Sequence, residues 1–96
     1  MMFDEIVRIV ERLKKVKWAN FKDRRGDPGR DIVLWAGRRF GGMTLKEVGE
    51  KVDGMDYSAV AVSVARLAAR SINDRELRAL MNRVSSQCQM SRCVPT

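Results

Sequence analysis

The sequence predicts a small all-α domain of five helices and one short helical turn. Three observations predict it. Apolar residues recur three and four positions apart in every long segment, which is the spacing of one helix face. Helix punctuation stands where those segments begin: a capping box, "TLKE", at 44–47 and an Asp27-Pro28 pair before the central segment. The one alternating stretch, Val60, Val62 and Val64, has no second stretch of its kind to pair with, and a lone strand is not stable. A chain of 96 residues, 45% apolar and 32% charged, has the size and balance of a single globular domain.

The first helix is expected over about 4–16, with Asp4 as N-cap. Ile6, Val7, Val10, Leu13 and Val16 form its inner stripe, and Arg8, Glu11, Arg12 and Lys15 its wet side. In "KWANF", Trp18 and Phe21 are three apart, which suits one helical turn plugging the core. The loop "KDRRGDPGR" follows, with Lys22, Arg24, Arg25 and Arg30. Asp27-Pro28 then opens a helix over about 28–40. Its Ile32, Val33, Trp35, Ala36 and Phe40 leave little polar face, so it belongs at the centre, and Gly41-Gly42 stops it. The capping box starts a helix of about 45–52 that buries Leu45, Val48 and Val52. Asp53-Gly54 turns the chain into a helix of about 57–71. A last helix over about 74–85, begun by Asn73, has the stripe Leu77, Leu80, Met81 and Val84. Residues 1–86 are thus one domain, and 87–96, "QCQMSRCVPT", read as a flexible tail.

The stretch "DGMDYSAVAVSVARLAAR" carries no charge between Asp56 and Arg66. Its alanines favour helix. At about 100° per residue, Val60, Val64 and Leu67 face inward, and Ser58, Val62, Ala65 and Ala69 face outward. Arg66 and Arg70 fall together on one flank with Ser63. An outer face this small and neutral suits close approach to a surface. One such surface is a DNA major groove, where a Ser hydroxyl meets base edges and Val or Ala methyls meet thymine methyls. The other is a second helix, as in a dimer seam. A short capped helix, a turn with Gly54 and a longer helix also make a helix-turn-helix layout. In it the second helix reads bases and the first crosses the backbone.

Composition narrows the function classes. There are 19 Lys+Arg against 12 Asp+Glu, a net charge of +7, and no His. The excess flanks a neutral middle: net +2 over 1–21, +3 over 22–43, 0 over 44–72 and +2 over 73–96. A strongly basic small domain carries the electrostatic footprint of a nucleic-acid binder. Without His there is no His-based general base or metal site, and no phosphate-cradling GxxxxGK[ST] occurs. No catalytic activity and no cofactor are expected. Two cysteines, Cys88 and Cys93, fit a reducing cytoplasm and read as incidental to the tail. No apolar run is long enough to span a membrane, and the charged start is no secretory signal.

The stretch "MTLKEVGEKVDGMDYSAVAVSVARL" resembles the C-terminal DNA-binding domain of the bacterial replication initiator DnaA. That domain is a Trp-repressor-like helix-turn-helix. Thr44-Leu45 and Val48-Gly49 match its first helix, and Asp56, Ser58 and Val60 match the opening of its recognition helix. The likeness covers about 4–86 and is specific over 43–67. "DGMDYSAV" is still more similar to the DnaA-like domains of REP-associated tyrosine transposases, though the His-x-His metal pair of the transposase is missing here. Tyr57 stands where the DnaA family has His, and Ala59 where it has a second Thr, both at base-facing positions. The resemblance implies that Arg24 or Arg25 enters the minor groove and that Arg30 matches the Arg before the central helix. It implies roles in replication initiation or transposition. It also implies an ATPase or transposase domain as a fused or associated partner.

The expected partner is therefore double-stranded DNA, with the protein cytoplasmic and nucleoid-associated. Tyr57, Ser58, Ala59 and Val62 are expected to read bases, Lys46, Arg66 and Arg70 to hold phosphates, and Arg24, Arg25 and Arg30 to anchor the basic loop. The rival reading is a non-catalytic helical interaction module, or homodimer, using the Ser58/Val62/Ala65/Ala69 face.

Overall fold

A computed structural model describes residues 2–24 and 26–92. Among them are six helices and no strand: α1 (Phe3–Lys14), α2 (Trp18–Phe21), α3 (Gly29–Arg39), α4 (Leu45–Lys51), α5 (Tyr57–Asn73) and α6 (Arg75–Arg92). The all-α architecture is as the sequence predicts.

Helix α3 is the axis of the fold. It packs against α1, α4, α5 and α6. Ile32, Val33 and Ala36 join Ile6, Ile9, Val10, Phe21, Phe40, Leu67, Leu77 and Val84 in the main core. Leu34 points the other way, into a second cluster with Val48, Val52 and Val60. One helix can serve two clusters because every position from 32 to 37 is apolar or glycine. The second cluster fastens the helix-turn-helix to the rest of the molecule. Each of its fully buried valines stabilises that attachment by about 1.5–3 kcal/mol relative to an exposed side chain.

Several helix ends differ from the sequence expectation, each for a local reason. Met2, not Asp4, holds the N-cap position of α1, without a side-chain cap. Helix α1 ends two residues early because Lys15 turns left-handed (φ 59°), which lets the Val16 N–H donate back to the Glu11 carbonyl. Ile9 is buried alongside Ile6 and Val10, while Val7, Leu13 and Val16 are only half-buried. The N-cap position of α3 falls on Pro28, while the Asp27 carboxylate, as expected, caps the helix by accepting the Gly29 N–H at 2.8 Å. Helix α5 runs on to Asn73, and Asp74 rather than Asn73 caps α6, accepting the Leu77 N–H at 3.0 Å.

The larger correction concerns the C-terminal segment. Where a tail is expected from residue 87, α6 continues through Arg92. The missing signal is Cys88, which lies one turn beyond Val84 and is fully buried in the main core. Free Cys behaves as a small hydrophobe, and it extends the Leu77/Val84 stripe by a turn. Cys93 lies outside the described residues.

Candidate nucleic-acid interface

The helix-turn-helix is built from the inside. Thr44 caps α4 with the full reciprocal box: the Glu47 N–H donates to Thr44 Oγ1 at 3.1 Å, and the Thr44 N–H donates to Glu47 Oε1 at 3.0 Å. Accepting the Thr44 N–H, with the Thr44 side chain beside it, holds the Glu47 carboxyl below its usual range. At the other end the chain reverses through two left-handed residues, Asp53 (φ 53°) and Gly54 (φ 69°). The reversal lays the Met55 backbone on Gly49, whose carbonyl accepts the Met55 N–H at 2.8 Å. A Cβ at Gly49 would collide with the Met55 carbonyl oxygen, so glycine is required for this close approach.

Helix α5 then leaves the turn with its first turn uncapped by any side chain and free of acidic residues. Val60 and Leu67 are buried and Val64 is half-buried. Ser63 corrects the helical-wheel reading: it is 5% exposed and faces the interior, not the arginine flank. The outer face is as expected. Tyr57 is 60% and Val62 54% exposed, and Ser58, Ala59, Ala61, Ala65 and Ala69 are exposed around them.

Beside that face lies a concave cleft of about 420 Å³ between the 22–30 loop and the flank of α5. It is lined by Lys22, Arg24, Arg30, Arg66 and Arg70, with Asp23, Asp27 and Asp31 among them. The fold thus gathers residues separated by up to 48 positions into one basic surface, which spacing along the chain could not reveal. Arg66 and Arg70 project from successive turns of α5. Arg24 is largely exposed, and its guanidinium lies 4.0 Å from Asp27, whose carboxylate is also paired with Lys14 at 2.9 Å. Arg30 lies 3.9 Å from Asp31. Burial in the cleft pushes the Asp31 carboxyl up, against the lowering effect of Arg30, Arg66 and Arg70.

Of the other expected site residues, Lys46 is exposed on the first turn of α4 and is not among the cleft's lining residues. Arg25 lies outside the described residues. Sequence reasoning left Lys22 out of the site, although it lines the cleft and its Nζ reaches Asp53 Oδ1 at 3.5 Å. It also missed the acidic member Asp31, whose position beside three arginines only packing creates.

No protein-family model matches this chain. A search of curated proteins and one of solved structures also return no match. What the molecule can do is read from its own surface. Among the described residues no three acidic or cysteine side chains cluster as metal ligands would, and no helix is long and apolar enough to cross a membrane.

Proposed function

We propose that this chain is a non-catalytic, sequence-preferring double-stranded DNA-binding domain of the cytoplasm, associated with the nucleoid. Helix α5 enters the major groove with Tyr57, Ser58, Ala59 and Val62 toward the bases. Arg66, Lys46 and the basic loop hold the backbone on either side. The observation that carries this reading is a neutral, small, exposed face on α5 placed directly beside a cleft lined by five cationic side chains. Base reading needs close approach, and phosphate binding needs cations at the edge of that approach. The helix-turn-helix layout and the resemblance of 43–67 to the DnaA C-terminal domain support the same reading. On that resemblance the biological setting is replication initiation or transposition, with an ATPase or transposase domain as associated partner.

Duplex titrations over a salt series test it. The logarithm of affinity is expected to fall with the logarithm of salt by about 0.9 per phosphate contacted. A flat response, or no binding at low salt, would sink the proposal. The exposed Val62, with Ile72 at 70% exposure three turns further along α5, favours one competing outcome, a helix–helix dimer. A dimer in sedimentation that Val62→Glu dissolves would favour that reading.

A further inference from the structure

We propose that Arg70 is a positioning residue, a strut that locks the basic loop to the recognition helix, rather than one of the phosphate ligands. The inference rests on the DNA reading above and changes the division of labour within it. Arg70 Nη1 donates to the Gly26 carbonyl at 3.1 Å, across 44 positions of sequence. Its Nε lies 3.7 Å from Asp74 Oδ2, at the start of α6. The guanidinium is therefore held from both sides, by the tip of the loop and by the helix junction. Arg66, one turn earlier on the same flank, has no ion pair or hydrogen bond among the described residues. Two arginines that look equivalent in sequence are thus differently employed.

Two further ties give the strut its setting. Lys22 Nζ reaches Asp53 Oδ1 at 3.5 Å, which joins the beginning of the loop to the turn of the helix-turn-helix. Lys14 pairs with Asp27 Oδ1 at 2.9 Å with both side chains largely buried, which joins the end of the loop to α1. Gly26, between these ends, is left-handed (φ 82°), and its tip is tied to α5 through Arg70. A loop with a glycine tip is ordinarily free to move. Here three elements hold it. Loop and recognition helix then meet the duplex as one rigid surface, and the ordering cost of the loop falls outside the binding step.

Amide exchange in the free protein and salt slopes in the complex, measured on Arg70→Ala and Arg66→Ala, decide the matter. Arg70→Ala should speed exchange of the Gly26 and Asp27 amides roughly tenfold, with the thermal midpoint little changed because the side chain is exposed. Its salt slope should fall by more than the roughly 0.9 of a single phosphate, since the loop's contacts go with it. Arg66→Ala should leave loop exchange at the native rate and lower the slope by about 0.9. The strut is overturned if Arg70→Ala leaves loop exchange at the native rate, or if it lowers the slope only as Arg66→Ala does. A native chain that binds no duplex sinks the DNA reading instead, and loop exchange alone then decides the tie.

Discussion

At the scale of single residues, charge and exposure separate the tasks of neighbouring side chains on α5. Ser58 is exposed on the neutral face and Arg66 on the basic flank. A Ser that reads a base edge contributes discrimination, and an Arg that meets a phosphate contributes affinity alone. Ser58→Ala is therefore expected to change preference between duplex sequences by roughly 1–3 kcal/mol, and Arg66→Ala to weaken all duplexes alike. Competition binding against a randomised duplex pool checks both. Equal effects of the two changes on every sequence would reverse the assignment. Asp31 works in the opposite sense to its neighbours. Its carboxylate lies in the same cleft as Arg30, Arg66 and Arg70, where a DNA phosphate would compete with it. Asp31→Asn should tighten duplex binding at neutral pH. In the native protein, affinity should rise as pH falls toward the raised Asp31 value, since protonation removes the repulsion. The Asn variant should lose that part of the pH dependence.

At the scale of elements, the joint between α4 and α5 depends on one missing side chain and one reciprocal cap. Gly49→Ala places a methyl against the Met55 carbonyl and 3.1 Å from a Val60 methyl. A cost of about 1–3 kcal/mol in urea unfolding is expected, the range of an overpacked core. A neutral result would show that the turn relaxes freely. The Thr44 cap has a pH signature. The folded Glu47 carboxyl titrates below its unfolded value, so its contribution is present at neutral pH and is lost as pH falls through the folded value. Asp31 runs the other way. Burial raises its folded value, so its ionised form weakens the fold at neutral pH, and this penalty disappears as pH falls through that value. Glu47→Gln should lose the pH dependence of the cap, and Thr44→Ala, which removes the acceptor of the Glu47 N–H, should cost about 1 kcal/mol at neutral pH. Urea midpoints over an acid titration measure the difference.

At the scale of the whole molecule, one core spans both ends of the chain. Ile6 and Ile9 near the start meet Val84 and Cys88 near the end, across α3. Burial also raises the Cys88 thiol above its usual range, so it stays protonated and unreactive. Cys88→Ser keeps the size and puts a hydroxyl into an apolar site, which should cost about 1–3 kcal/mol. A segment that contributed nothing to folding would tolerate the change without loss, and the unfolding midpoint distinguishes the two.

Much of this architecture is legible in the sequence because it depends on neighbours a few residues apart. Helical periodicity, the Thr44/Glu47 box and the Asp53-Gly54 turn are local, and each predicts its element to within a few residues, except at the end of α6. So does the neutral outer face of α5, since a helical wheel needs only the helix. Tertiary structure decided the rest. Ser63 is buried because α5 packs against α3, α4 and α6, neighbours that a single-helix wheel does not contain. Helix α6 runs past residue 85 with Cys88 buried in the main core, a partner set that only packing supplies. Lys22, Asp31 and Gly26 joined the site because packing brings the 22–30 loop beside α5, and the employment of Arg70 differs from that of Arg66 for the same reason. A residue's periodicity is set by the backbone it belongs to. Its partner is set by what the core brings within reach, and for this protein the candidate site is made almost entirely of such meetings.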